Sequence, residues 1–282
     1  MDKTKLTKKV LAHKLGISRS TLYYKPKKPP LDEDHKNKII AVMKQHPAYG
    51  ARRVAIALGC NRKKTQRLMG RHGLKPKLRR GFRLTKPDDL GRPETQVINI
   101  LKVVCPIRAH FIWAGDFTYF WFQDRFWYVA TVIDVYTREL VGWHVANHHT
   151  TALIVEAFQD AVRRTEKTPH YFHSDQGSEY VSGAYGTLLA THRVVPSHSR
   201  KSSPWQNGYQ ESFYNNFKLE IGNTRRFNQV GELIEAVHRQ IRYYNKERIH
   251  SALKMPPISY RILQQQKQTA YAVSFYPCFL IH

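Results

Sequence analysis

From residue 111 the apolar pattern of this chain turns strand-like, and the run that follows restricts the fold more than any other feature. FIWAGDFTYFWF, RFWYVATVIDVYT and ELVGWHVANH are rich in aromatic and β-branched residues and read as three strands. Turns at Gln123-Asp124 and Thr137-Arg138 make them an antiparallel meander. Residues 151–165, TALIVEAFQDAVRRT, read as an amphipathic helix. A fourth strand, HYFHSD, ends at Asp175; a helix near 183–192, a short strand RVVPSH and a further helix follow. That last helix runs from Trp205 to Ile221, WQNGYQESFYNNFKLEI, and opens after Ser202, Ser203 and Pro204. Strands and helices that alternate in this way give an α/β domain.

Three carboxylates fall at telling places in this pattern. Asp116 lies in the first strand, Asp175 where the fourth strand breaks into a polar loop, and Glu211 on the last helix, with 35 residues between the latter two. Glu211 and Lys218 are seven apart, close to two helical turns, and share a face, as do Asn207 and Tyr214. Hard divalent cations take oxygen ligands. Two such ions about 3.5–4 Å apart clamp the attacking and leaving oxygens of a phosphoryl displacement. Other carboxylates fit blander roles. Asp124 sits in a hairpin turn, where Asp is common for backbone reasons. Asp134 closes the second strand, Glu179 supports the loop after Asp175, and Glu220 lies on another helix face.

The three segments resemble the DDE integrase core shared by retroviral integrases and bacterial insertion-sequence transposases. The match rests on Asp116, Asp175 and Glu211, on the 35-residue spacing and on Lys218, and covers roughly residues 105–262. It implies a ribonuclease-H-like fold: a mixed five-stranded sheet with flanking helices, its first and fourth strands side by side. It also implies that Asp116, Asp175 and Glu211 are catalytic and hold two Mg²⁺ or Mn²⁺, and that the activity is DNA cleavage and strand transfer. Lys218 is then expected to contact DNA. IDVYTRELVGW, with Asp134, belongs to the same pattern as a structural strand-to-turn element. The closing string, with Tyr244-Asn245, Arg248, His250 and Leu253, is read as packing against the core.

Charge places the partner upstream of this core. The 282 residues hold 46 basic and 21 acidic side chains, a net +25, and the first hundred carry +19 of it. Such an excess favours polyanions, double-stranded DNA first among them. Residues 1–25 form a candidate helix-turn-helix, with Val10, Leu11 and Leu15 at apolar spacing, Gly16 in the turn and Ser18 capping a second helix. Ser18, Arg19, Ser20 and Thr21 would then face base edges; a plain basic hairpin is the alternative. Residues 26–34 read as a Pro- and Lys-rich linker. Residues 35–74 form a second helix-turn-helix domain, with helices over Lys36–Lys44, Ala51–Leu58 and Arg62–Arg71 and a core of Val54, Ile56, Leu58 and Leu68. Arg62, Lys63, Lys64 and Arg67 fill its exposed face, and Arg52 and Arg53 are candidate phosphate contacts. Its Tyr49-Gly50-Ala51-Arg52-Arg53 string resembles the region just upstream of the core in insertion-sequence transposases. Residues 75–110 are a basic connector, either a DNA-tracking arm or a solvated linker. The catalytic core spans 111–228, a helical extension 229–262, and a tail of unassigned role 263–282.

The remaining features exclude. Cys60, Cys105 and Cys278 are scattered and contain no CxxC pair, so neither a disulfide framework nor a zinc knuckle is supported. His148-His149 reads as a solvated loop. No apolar run approaches a membrane span and no signal peptide opens the chain, so a cytoplasmic, nucleoid-associated protein of bacterial type is expected, with no membrane partner. The resemblance extends to the second-reading-frame products of frameshifting elements. That implies a homo-oligomer on DNA and a first-frame partner protein, since no heptad run is found here. A nuclease without strand transfer and a DNA-binding regulator with a silent core are the rival classes. The intact triad opposes the second of these and the two DNA-binding blocks the first.

Overall fold

A computed structural model describes residues 7–23, 28–77, 97–199 and 207–274. Trp205 and Gln206, at the expected start of the Glu211 helix, and residues 78–96 of the connector lie outside them. The core is one five-stranded sheet of order β3-β2-β1-β4-β5, built from β1 (Ile112–Phe122), β2 (Arg125–Asp134), β3 (Leu140–Ala146), β4 (Tyr171–Ser174) and β5 (Val195–His198). β1, β2 and β3 pair antiparallel, while β4 lies parallel to β1 and to β5. The meander and the adjacency of the first and fourth strands are therefore as expected. Gln123 and Asp124 both have positive φ, 46° and 57°, as a two-residue hairpin turn of the right twist requires.

Helices cover both faces. α6 (Thr151–Thr165) packs Leu153, Ile154, Ala157, Phe158 and Ala161 against Trp113, Ala130, Val132 and Val141, with α7 (Gly183–Thr191) beside it. Gly142 of β3 permits this approach, because a Cβ there would run into the backbone of Ala157 and Ala161. On the other face α8 (Gly208–Ile221) and α9 (Val230–Lys246) bury Phe213, Phe217, Ile221, Val237 and Ile241 against Ile112, Phe120, Val129 and Ile133.

The helical periphery differs from the sequence reading in three places. The first basic hairpin is α1 (Lys8–Lys14) followed by a five-residue 3₁₀ turn, Arg19–Tyr23, rather than a recognition α-helix. Ser18 Oγ accepts from the Thr21 amide and bonds the hydroxyls of Ser20 and Thr21, closing a tight turn by side-chain competition with the backbone. Val10, Leu11 and Leu15 remain exposed and Ala12 alone of this hairpin is buried. Second, α2 spans Lys28–Gln45. Most of the expected linker 26–34 is thus helical, since Pro is accommodated in a first helical turn, where no amide partner is lost. Third, the expected single helix over 229–262 is two, α9 and α10 (Pro257–Ser274). Arg248, buried, turns inward between them to pair with the half-buried Glu220 at 2.7 Å, and Pro257 starts α10. The expected boundary at 262/263 falls inside α10. α3 (Ala51–Ala57) and α4 (Arg62–Arg71) lie within a residue of expectation, with Gly59 and Gly73 at positive φ after each. Val54 and Leu68 are buried with Ile39, Tyr49 and Met69, whereas Ile56 and Leu58 are half-buried.

Candidate active site

The geometry of the site begins with how α8 is fastened to the sheet. Gln210, fully buried, donates to the carbonyl oxygens of Ala114 (2.6 Å) and Thr131 (3.1 Å) and accepts from the Thr131 hydroxyl at 3.0 Å. Tyr214, one turn on, donates to the Asp116 carbonyl at 2.6 Å and shares a 2.8 Å bond with Thr131 Oγ1. Asn207 donates to the Gly115 carbonyl at 3.3 Å. Three polar side chains on one helix face thus address the consecutive β1 carbonyls of Ala114, Gly115 and Asp116, and Glu211 is carried in beside them.

Asp116 is half-buried in β1, with one carboxylate oxygen accepting from the Phe117 amide at 2.8 Å. Its pKa is pushed up to about 7, first by burial, then by the charge of Asp175 and further by that of Glu211; the Phe117 amide and Lys218 act in the opposite sense. Four side chains named from the sequence are therefore within electrostatic reach of one another. Asp175 is exposed on the loop after β4, held by an Asx turn in which the Gly177 amide donates to Oδ1 at 3.0 Å. Beneath it Phe172 occupies the space that a side chain at Gly115 would need. Lys218 lies on the Glu211 face of α8 with Nζ 4.7 Å above the Tyr119 ring, a cation–π contact.

The rival carboxylates have structural duties. Asp134 is fully buried and accepts from the amides of His110, Tyr136 and Thr137 at 2.5, 2.9 and 2.8 Å. Glu179 accepts from Ser178 and pairs with His149 at 2.8 Å; His148 and His149 lie exposed on the loop after β3, as expected, and the His149 ring also stacks on Phe117. Glu220 is bound by Arg248 and Gln240.

The expected DNA-contacting residues divide. Arg52, Arg62 and Lys63 are exposed on the second helical block, Lys64 is half-buried, and Arg19 and Thr21 are exposed on the 3₁₀ turn. Arg67 instead makes a two-pronged pair with buried Asp32, at 3.0 and 2.9 Å, tying α4 to α2. Arg53 turns away from solvent toward Tyr49 and the core, 5.8 Å from that ring. Sequence reasoning did not find how this block docks on the C-terminal extension. Tyr49 Oη accepts from the Ile249 amide at 2.6 Å, and His46 bonds Tyr243 Oη at 2.7 Å. Nor did it find the Gln210–Thr131 network. A lone Gln and Thr at a helix and a strand carry no periodic signal; the only hint was that Asn207 and Tyr214 share a face.

A five-stranded mixed sheet with a helix that presents a carboxylate to its central strand defines an integrase core, and two integrase core domain models match the chain, over residues 108–204 and 192–257. The sequence is 32% identical over 233 residues to the transposase for insertion sequence element IS904 of Lactococcus lactis, covering 77% of this chain and 88% of that protein. It is 30% identical over 256 residues to the InsK protein of insertion sequence element IS150 of Escherichia coli, covering 87% and 90%. In fold it is similar to a chain of the simian T-cell lymphotropic virus intasome solved with PP2A regulatory subunit B56 gamma, with TM-score 0.50 and 12% identity over 78% of this chain and 73% of that one. The chain belongs to the insertion-sequence transposases. It is a DDE-type enzyme of DNA transposition and recombination.

Proposed function

We propose that Asp116, Asp175 and Glu211 are the catalytic centre of this transposase, and that they cut the ends of its insertion sequence and join them to target DNA. The observation that carries this reading is that Asp116, bonded through its backbone to the Glu211 helix, has its proton affinity raised first by burial and then by the charges of Asp175 and Glu211. Carboxylates that disfavour one another's ionisation favour a cation between them. The donor set is all oxygen and suits Mg²⁺ or Mn²⁺. Among the described residues no three such side chains are yet gathered as a ready-made metal cage. Two ions held by Asp116, Asp175 and Glu211 would supply Lewis-acid activation of a water or 3′-hydroxyl and charge stabilisation at the leaving oxygen.

The chain's own residues do the rest. The Gln210 and Tyr214 bonds fix Glu211 against β1. Lys218, from the same face, offers a cation to the phosphate next to the scissile one. Arg52, Arg62, Lys63 and Lys64 on the second helical block bind the duplex through phosphates, with Arg19 and Thr21 as a further contact. Arg67 acts by holding α2 and α4 together. DNA ends and target DNA are the partners; a homo-oligomer on DNA and a first-frame partner complete the assembly. No helix among the described residues is long and apolar enough to cross a membrane.

The test is incubation of the full chain with duplexes that carry the element's terminal repeats and Mg²⁺ or Mn²⁺. Joined products are expected, and none with Asp116→Asn, Asp175→Asn or Glu211→Gln while DNA binding persists. Full activity in two of the three would dispose of the assignment.

A further inference from the structure

At the junction of the second helical block, the connector, the core and the C-terminal extension lies a cavity of about 580 Å³. Arg53 reaches it from α3, Lys102 from α5 (Ile100–Val103), Arg138 from the β2–β3 turn, and Arg248 and His250 from the segment after α9. Four of these side chains carry a buried nitrogen without a hydrogen-bond partner: Arg53 Nε, Arg138 and Arg248 each through one terminal guanidinium nitrogen, and His250 Nδ1. Arg248 is 2% exposed; its Nε is taken by Glu220, and one of its two terminal nitrogens has no partner. The Arg138 guanidinium is stacked 3.9 Å over the Tyr209 ring, and Arg138 itself holds a left-handed backbone, φ 63°.

Buried donors without acceptors are costly, and cationic ones more so. Three guanidinium groups against the one Glu220 carboxylate leave the cluster strongly positive. The same crowding, after burial, holds His250 down to about 4, with Arg138, Arg248 and Arg53 as the charges responsible. Planar guanidinium forks that converge with spare donors match the tetrahedral oxygens of phosphate.

We propose that this cavity is a phosphate-binding site, in which Arg53, Arg138, Arg248 and His250 together receive one phosphate group. The site is separate from Asp116, Asp175 and Glu211. Because Arg53 belongs to the DNA-binding block and Arg138 to the catalytic core, the bound group would lock one onto the other. The phosphate comes either from a DNA backbone or from free phosphate, and the two are separable.

The experiment is thermal melting of the full chain against inorganic phosphate, with chloride at matched ionic strength as the control. A saturable rise in Tm with phosphate alone is expected. It is expected to fall by at least half in Arg138→Gln and in Arg53→Gln, neither of which breaks the Arg248–Glu220 pair, and to survive in Asp116→Asn. Line broadening of the phosphorus NMR signal by wild type and not by Arg138→Gln is the second readout. Equal Tm in phosphate and chloride overturns the proposal. So does an undiminished shift in both Arg variants, which would mark an adventitious ion only. A short duplex then assigns the source. If it displaces phosphate, and Arg138→Gln flattens the salt dependence of DNA binding by about one phosphate, the group is the DNA backbone. If the salt slope is unchanged, it is free phosphate.

Discussion

Tyr214 on α8 donates a hydrogen bond from its hydroxyl to the backbone carbonyl of Asp116, at 2.6 Å, so the helix that carries the third carboxylate is bonded to the very residue that carries the first. Tyr214→Phe removes this bond and the one to Thr131, and leaves buried acceptors behind. A loss of about 1–3 kcal/mol in unfolding free energy is expected. DNA cleavage at saturating DNA should fall further than DNA affinity. Denaturant melts and single-turnover cleavage measure the two. Cleavage unchanged in a destabilised protein would separate the rivet from the chemistry.

The raised pKa of Asp116 has a definite sign. Between its ordinary value, 3.8, and about 7, the folded protein holds a proton that the unfolded chain has released. Its contribution to stability is complete below pH 4 and is lost as pH rises to 7 and beyond. Asp116→Asn should therefore melt higher than wild type at pH 8 without divalent metal, and show little difference at pH 4. Mn²⁺ should raise the wild-type Tm at pH 8 and do far less for the variant. A wild-type advantage at pH 8 in the absence of metal would contradict the crowding of charge described for this site.

Asp134 offers a contrast of another kind. Its oxygens are spent on three backbone amides, so Asp134→Asn is expected to lower stability by about 1–3 kcal/mol while the folded fraction keeps its cleavage rate. Activity normalised to folded protein is the measurement.

Arg67 and Arg62 sit on one helix but differ in partner. Arg67→Gln breaks a pair with buried Asp32 and should cost stability with little change in the salt slope of DNA binding. Arg62→Gln, at an exposed position, should leave Tm unchanged and reduce the slope by about 0.9. Equal slopes in the two variants would remove Arg62 from the interface.

Gly142→Ala places a methyl group into the backbone of Ala157 and Ala161. The sheet and α6 must separate, and a loss of about 1–3 kcal/mol is expected, read as a lower denaturant midpoint. An unchanged midpoint would mean that α6 yields without cost.

What the sequence made legible follows from periodicity and spacing. The meander and α6 rest on runs of apolar residues whose burial decides their conformation, and the pairing of β1 with β4 follows the pattern the family resemblance implies; these are where expected. Contacts between polar groups far apart in the chain left no such mark. Gln210 with Thr131, Tyr49 with Ile249, and Arg248 with Glu220 are each pairs of unremarkable residues until the fold brings them together. The turn after Ser18 and the start of α2 differ from expectation for a local reason. Hydroxyls that bond the backbone shorten one helix, and prolines, a linker signal in sequence, also suit a first helical turn. Arg53 and Arg67 show the same limit for charge: composition marks a basic helix without saying which cations the protein itself consumes.

β4 pairs with β1 only through Ile112, Trp113 and Ala114. Beyond Ala114 the two strands part, and Asp116 and Asp175 stand on opposite sides of the fork. The distance from Asp116 to Glu211 is fixed by hydrogen bonds between a helix and a strand, whereas that from Asp116 to Asp175 depends on a loop held by its own Asx turn. Glu211 is thus tied to Asp116 through bonds between helix and strand, and Asp175 only through its own loop. If Asp116, Asp175 and Glu211 hold metal as proposed, the conformational entropy lost on binding falls chiefly on the Asp175 loop, and substitutions that stiffen residues 176–178 should tighten metal affinity without touching a ligand.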